Sequence, residues 1–258
     1  THENSSAASD VYKRQNYNTI TMKSLLINAG IGWCGTTPLF RTLCRSNDYC
    51  IKTKEFPKEP DILTQVQERR LPLSYYIDYL QSLPGERVTD FSNSNAYLSE
   101  EFLEEIAPEL KKHFDVKCTI IYRDPVKQYY SMSVHDHSLF QRKGTPIEYF
   151  RHRIVTERPH SYVRTYRLYS KHFPTYPIVM ENLWTHETQE LLKLSEFLNY
   201  PLKKLHPNVY HDGILHERLQ DQWTDKVPLS ALDYRIAHSK LSWMYREWEE
   251  EFGDNPWH

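Results

Sequence analysis

The chain has 258 residues and a formal net charge of -2, which suits one large α/β domain or two small ones and gives no general attraction to nucleic acid or membranes. Aromatic residues make up 14% of the chain, which argues against intrinsic disorder. The 4 cysteines include no Cys-x-x-Cys pair, so they do not resemble a zinc site, and we expect reduced thiols in a cytoplasmic setting.

Residues 1–21 are polar and show no periodicity, so we expect a disordered tail or a non-native leader there. We interpret the remainder, 22–258, as a single domain. No apolar run in it approaches the ~20 residues that a helix needs to cross a membrane. We therefore expect neither a membrane nor a nucleic acid as a partner, and the sequence carries no signal of an oligomeric state.

Short apolar runs alternate with segments of helical character along this domain. They predict strands at Ser24–Ala29, Arg87–Phe91, Val116–Tyr122 and Pro177–Met180. They predict helices from 36, over 73–83, 99–113, 125–138, 146–172 (broken near Pro159), 184–198 and 229–252, with irregular segments at 52–70 and 201–227. This alternation predicts an α/β fold whose mostly parallel central sheet is flanked by helices, with ligands at the carboxyl ends of the strands.

The first motif, Gly30–Thr37, lies directly after the first strand and opens the next helix. A strand, a glycine loop and a helix in this order are the context of a phosphate-binding loop, because backbone N–H groups and the helix N-terminus attract an anion. Thr36 stands where nucleoside-triphosphatases have Lys, which argues against a triphosphate ligand. A P-loop nucleotide kinase-like enzyme and an ordinary glycine turn are the alternatives.

The second motif, Arg123-Asp124-Pro125, follows the third strand. Arg123 ends that strand, and Ser131 lies about two turns into the helix that follows. A guanidinium offers a rigid fork of donors to a phosphate, and a nearby hydroxyl adds another donor. The pair therefore predicts a second anion-binding position.

Together these motifs resemble the sulfotransferase family that uses 3′-phosphoadenosine 5′-phosphosulfate (PAPS). The family has a [Lys/Arg]-Ser-Gly-Thr-Thr loop, similar to 33–37 here, and an Arg-[Asp/Asn]-Pro segment followed by Ser, similar to 123–131. Looser resemblances lie in 179–183, 195–198 and 245–257. The resemblance implies a three-layer P-loop-like fold and in-line transfer of a sulfuryl group to a hydroxyl or amine of a carbohydrate or small molecule, with adenosine 3′,5′-bisphosphate (PAP) as the product.

The resemblance also implies roles for individual residues. The loop would hold the 5′-phosphosulfate, and the strand-end Arg and helical Ser would hold the 3′-phosphate. The cofactor-binding residues so implied are Gly32, Trp33, Cys34, Gly35, Thr36, Thr37, Arg123 and Ser131.

Trp33 departs from the family pattern, because it stands where the family has a Lys or Arg that neutralises the bridging oxygen. An indole cannot supply that charge. Arg41 or Lys127 could supply it from elsewhere. The alternatives are an altered enzyme and a non-catalytic nucleotide-binding relative.

An acceptor hydroxyl must lose its proton as it attacks, so a general base is expected. Asp90, at the end of the second strand, is the first candidate, because the family has an acidic residue at a similar place. His135 and His137 are the second choice, since histidine titrates near neutral pH. We assign no metal, because adjacent helical residues such as His135, Asp136 and His137 do not share a face. The acceptor would contact the variable segments 52–75 and 138–165.

Overall fold

The computed structural model describes residues 22–45, 58–202 and 229–257. The predictions for 1–21 and for most of the irregular segment 201–227 lie outside these ranges. The following account concerns the described residues.

Four parallel strands form one sheet, in the order β2-β1-β3-β4. They are β1 Lys23–Asn28, β2 Arg87–Asp90, β3 Phe114–Tyr122 and β4 Thr175–Val179. Their side chains are buried on consecutive positions rather than alternate ones, as in Leu25–Asn28 of β1. A strand buried on both faces must be covered on both sides, so the α/β class with a helix-flanked parallel sheet is confirmed.

The connections between strands contain most of the helices. The described helices are α1 Thr36–Arg45, α2 Ile62–Gln67, α3 Leu73–Ser82, α4 Glu100–His113, α5 Pro125–Leu139, α6 Pro146–Thr156, α7 Tyr162–Ser170, α8 Met180–Thr185, α9 Glu187–Leu198, α10 Ala231–Lys240 and α11 Ser242–Phe252. A 3-10 turn, Asn93–Tyr97, follows β2. No described helix is long and apolar enough to cross a membrane.

The strand order places the ligand-binding crevice. Within the sheet, β2 lies next to β1 on one side, and β3 lies next to β1 on the other side. The chain passes from β1 to β2 and then crosses over β1 to reach β3. The connections thus leave in opposite directions from the carboxyl ends of β1 and β3, which opens a crevice there. In register, Ile27 of β1 pairs with Asp90 on one side and with Cys118 on the other. The two sequence motifs follow β1 and β3, so both start at this crevice.

Side-chain caps start two of the helices as their sequences predict. The Ser99 hydroxyl accepts a hydrogen bond from Phe102 N at the start of α4 (3.2 Å). Asp124 Oδ1 accepts one from Lys127 N at the start of α5 (3.0 Å). Each cap satisfies a backbone donor that has no partner within the helix.

Three predicted elements differ from the structure. Residues 62–67, expected to be irregular, form α2, because Ile62, Leu63 and Val66 share one face and are buried. The predicted terminal helix is two helices that meet at Leu241, whose φ of -94° and ψ of 6° interrupt it. Met180 begins α8 rather than ending β4. The predicted break near Pro159 is confirmed, since α6 ends before it and α7 begins after it.

The core gives a direct stability test. Leu103 of α4 is 0% exposed, whereas Leu192 of α9 is 58% exposed. Leu103→Ala should lower the free energy of unfolding by about 2–5 kcal/mol, because it removes buried methyl groups and leaves a cavity. Leu192→Ala, the matched control, should change it by less than ~0.5 kcal/mol. Urea unfolding of both variants measures the difference, and equal losses would contradict the assigned burial.

Candidate active site

The loop between β1 and α1 starts tight against β3. Ala29 N donates to Thr119 O (2.9 Å), which keeps the beginning of the loop beside that strand. A Cβ on Gly30 would lie 3.1 Å from the backbone nitrogen of Ile121, closer than most real Cβ atoms approach a backbone atom. The loop ends where α1 begins at Thr36. There the first backbone N–H groups of the helix and its dipole favour a bound anion.

Two residues of this loop have left-handed backbone conformations. Gly35 has a φ of 84°, and a Cβ there would lie 3.1 Å from Met180 Sδ. Trp33 has a φ of 66°, a conformation that costs a non-glycine residue free energy. Such a conformation persists only where surrounding contacts hold it, and residues like this cluster at functional sites.

Arg123 is one of the contacts that hold the loop. Its Nη1 donates to the Trp33 carbonyl oxygen (3.1 Å) and to Ser131 Oγ (3.0 Å). Gln128 lies on α5, as Ser131 does, and its Nε2 donates to the Gly32 carbonyl oxygen (3.0 Å). The fold therefore brings Gly32–Thr37, Arg123 and Ser131 together. Gln128 was not identified from the sequence, although it lies three residues before Ser131 and so on the same helical face.

A buried polar network supports the Arg123 turn from behind. Asp124 Oδ2 and Oδ1 accept hydrogen bonds from the hydroxyls of Tyr234 (2.7 Å) and Tyr245 (3.2 Å). Glu181 accepts from Asp124 N (3.1 Å) and from the Trp257 indole N–H (3.0 Å). The last two helices are thus joined to the turn that carries Arg123.

The fold occurs in solved structures. A sulfotransferase from Alicyclobacillus acidocaldarius superposes with a TM-score of 0.51 at 16% sequence identity, covering 86% of this chain and 96% of that one. The chain has the sulfotransferase fold. At this level of identity the likeness concerns the fold alone.

Two other solved structures give lower scores. A sulfotransferase from Mycobacterium avium has a TM-score of 0.49 at 14% identity, covering 94% of this chain and 81% of that one. The sulfotransferase domain from the curacin biosynthetic pathway has a TM-score of 0.42 at 15% identity, covering 86% and 98%. No protein-family model matches the sequence, and no curated protein matches it significantly.

Within this sulfotransferase fold, the loop has a neighbouring cation, Lys58, which the sequence motif did not identify. Lys58 Nζ donates to Thr36 Oγ1 at 2.8 Å. Of the two alternative sources of charge in the sequence, Arg41 and Lys127, Lys127 lies on the exposed face of α5. Lys58 follows Thr36 by 22 residues in the sequence, so only tertiary packing brings the two side chains into contact.

The Asp90 carboxylate is enclosed at the end of β2. It is 0% exposed, and its oxygens accept hydrogen bonds from the Tyr76 hydroxyl (2.9 Å) and from Ser92 N (2.9 Å). Burial raises the pKa of Asp90, and the hydrogen bonds from Ser92 oppose that rise. These contacts suit a residue that fixes the turn after β2.

His135 lies nearer to the loop and to solvent. Its ring centroid is 5.2 Å from that of Trp33. Its side chain is 41% exposed, and its Nδ1 lies 3.5 Å from Asp136 Oδ1. A partly exposed imidazole beside the loop can reach a group that binds there.

Cys34 contributes its backbone to the loop rather than a reactive thiol. Its side chain is buried, and its Sγ is 4.0 Å from the Tyr162 hydroxyl. Burial raises the pKa of Cys34 to about 12, so the thiol is neutral at physiological pH and is a poor nucleophile. Among the described residues, no three His, Cys, Asp or Glu side chains are grouped closely enough to hold a metal ion.

A cavity of ≈ 580 Å³ lies between α5 and the segment that leads into α7. Its lining includes Tyr97, Met132, Arg153, Arg158 and Trp243. Tyr97 belongs to the 3-10 turn that also carries Asn93, whose Nδ2 would lie 3.7 Å from a Cβ on Gly32 of the loop. The lining combines aromatic faces with charged side chains.

The glycines of the described chain allow the strain in the loop to be measured. Gly35→Ala should lower the free energy of unfolding by roughly 1–3 kcal/mol through its left-handed backbone, with a further loss from the clash with Met180. Gly253 is the matched control, because its φ is 87° and no atom lies within 4 Å of an added Cβ. In thermal or urea unfolding, the Gly35→Ala variant should be less stable than the Gly253→Ala variant. The reverse order would contradict the Met180 contact.

Proposed function

We propose that the chain is a sulfotransferase that uses PAPS as the sulfuryl donor. The observation that carries the proposal is the convergence, at the carboxyl ends of β1 and β3, of the glycine loop with Arg123 and Ser131. Two groups of hydrogen-bond donors that can bind anions lie in one crevice. This arrangement suits a ligand with a phosphate group at each end. The sulfotransferase fold supports the same interpretation.

In the proposed complex, each end of the nucleotide has its own partners. Backbone N–H groups of Cys34–Thr37 and the hydroxyls of Thr36 and Thr37 bind the 5′-phosphosulfate. Arg123 and Ser131 bind the 3′-phosphate, and binding replaces part of the Arg123 contact with Trp33. Charged donors make strong hydrogen bonds to phosphate oxygens, so Arg123 contributes a large share of the affinity.

The proposed reaction is an in-line displacement at sulfur. The acceptor oxygen forms a new bond to sulfur, and the bond between sulfur and the bridging phosphate oxygen breaks. The electron pair of that bond stays on the phosphate, so PAP leaves with an added negative charge. Donors aimed at this oxygen lower the barrier, because they bind the transition state more strongly than the ground state.

We propose His135 as the base that takes the acceptor proton, with Asp90 as the alternative. His135 is partly exposed beside Trp33, whereas both Asp90 oxygens already accept hydrogen bonds. A base must come within hydrogen-bonding reach of the acceptor, and an accessible imidazole meets this requirement with less rearrangement.

We propose that the acceptor occupies the cavity beside Tyr97. The aromatic rings of Tyr97 and Trp243 offer stacking faces, and charged groups between them offer hydrogen bonds. Arg158 lies over the Trp243 ring, with its guanidinium carbon 5.2 Å from the centroid. This mixture suits a carbohydrate or another polyhydroxylated small molecule.

Binding of PAP tests the donor assignment. PAP at about 100 times its Kd should raise the melting temperature by roughly 5–10 °C, because it binds only the folded chain. Arg123→Ala should lose most of that shift, whereas Arg167→Ala should keep it, since Arg167 pairs with Glu251 on the surface. Differential scanning fluorimetry gives all three values. No shift with PAP, or a larger one with ATP and magnesium, would overturn the proposal.

Kinetic comparison of two variants tests the base. His135→Ala should lower the transfer rate by about 10²–10⁴-fold with little change in PAP affinity. Asp90→Asn should mainly lower stability, because it disturbs hydrogen bonds in a buried turn. His152→Ala, an exposed histidine on α6, is the control and should be neutral. A folded Asp90→Asn variant without activity, beside an active His135→Ala variant, would make Asp90 the base.

A further inference from the structure

Lys58 is a largely buried cation in direct contact with the phosphate loop. Its Nζ lies 2.8 Å from Thr36 Oγ1 and 2.6 Å from Glu59 Oε1. Its side chain is only 14% exposed. Withdrawing an ammonium group from water has a free-energy cost, so a cation is placed here only where acceptors or an anion can compensate it.

The backbone around Lys58 is fixed by the turn after β2. Phe91 N donates to the Lys58 carbonyl oxygen at 3.3 Å. Asn93 Nδ2 donates to Glu59 Oε2 at 3.1 Å, and the same nitrogen would lie 3.7 Å from a Cβ on Gly32. The Lys58–Glu59 pair therefore follows the side of the loop, with Gly32 near one end and Thr36 at the other.

This placement brings a positive charge to a loop whose own sequence has none. Positions 30–37 contain no Lys or Arg, and Trp33 occupies the position of the loop cation in the resembled family. The Trp33 indole instead lies beside His135. An ammonium group at low exposure interacts more strongly with an anion than one in bulk water does, because less solvent screens it.

We propose that Lys58 is the catalytic cation of this site and binds the 5′-phosphosulfate in place of a lysine within the loop. This inference rests on the proposed function. When the bond between sulfur and the bridging oxygen breaks, the electron pair stays on the phosphate oxygen of PAP. Lys58 remains protonated throughout and stabilises that charge, while the acceptor proton goes to the base.

The pairing with Glu59 separates this role from a structural one. If the pair only holds the segment against the loop, then loss of either partner weakens ligand binding. If Lys58 binds the anion, Glu59 competes with the ligand for the ammonium group. Removal of the Glu59 charge should then strengthen ligand binding, whereas removal of the Lys58 charge weakens it. Loss of folding cannot produce opposite effects on affinity.

Calorimetric titration with two ligands tests the inference. PAP carries both phosphates, and adenosine 3′-monophosphate lacks the 5′-phosphate. Lys58→Gln should weaken PAP binding by about 10–100-fold, the value of one charged hydrogen bond, and change adenosine 3′-monophosphate binding by less than about threefold. Lys58→Arg should retain most of the PAP affinity. Glu59→Gln should strengthen PAP binding about two- to fivefold.

Two further variants complete the design. Lys23→Gln is the matched control, because Lys23 Nζ is also held by protein oxygens, the Gln81 and Leu83 carbonyls (2.7 Å each), but at the start of β1. It should leave both affinities unchanged. Trp33→Lys added to Lys58→Gln should recover part of the lost PAP affinity and of the transfer rate, since it returns a cation to the loop.

The outcomes separate the two proposals. Wild-type chain that fails to bind PAP overturns the proposed function, and with it the role of Lys58. Wild-type binding of PAP together with unchanged binding by Lys58→Gln overturns the Lys58 inference alone. Retained binding of adenosine 3′-monophosphate shows that each variant is folded. Equal losses for Lys58→Gln and Glu59→Gln would assign the pair a structural role.

Discussion

The geometry of the site depends on the hydrogen bonds of one guanidinium group. Arg123 directly follows β3, and its Nη1 bridges the Trp33 carbonyl oxygen of one motif and Ser131 Oγ of the other. The parallel pairing of β1 with β3 puts the two strand ends side by side, so this contact needs no long reach. It also opposes the left-handed strain at Trp33. The loop, β3 and α5 are thereby fixed relative to one another before any ligand binds, which reduces the entropy lost on binding.

The same turn connects the site to distant parts of the chain. Asp124 caps α5 and also accepts hydrogen bonds from Tyr234 and Tyr245 of the last two helices. Glu181 ties the turn to Trp257 near the end of the described chain. A buried carboxylate is stable only with such partners, so the last helices stabilise the turn that carries Arg123.

Charge at the loop is the feature in which this chain departs from the family it resembles. An indole at position 33 packs beside His135, and Lys58 brings an ammonium group to Thr36 from another segment. Electrostatic stabilisation of a leaving group depends on where a cation lies and how far it is desolvated, not on which segment supplies it. A charge supplied by another segment can therefore serve the same chemistry.

Local sequence patterns were sufficient for most of the elements and for naming the loop, Arg123 and Ser131, which the fold brings together. Short segments between the helical stretches predicted the four strands. The glycine loop and Arg123 could be named because each directly follows a strand end, and Ser131 because it lies eight residues after Arg123. α2 and the break at Leu241 were missed, because both depend on how short apolar faces pack. The contribution of Lys58 and the enclosure of Asp90 had no local signal, since each depends on contacts with residues far away in the sequence. The sequence by itself thus determined the order of strands, helices and anion-binding motifs, and only the tertiary structure decided which charges meet at the loop, because charges act through distance and solvent exposure.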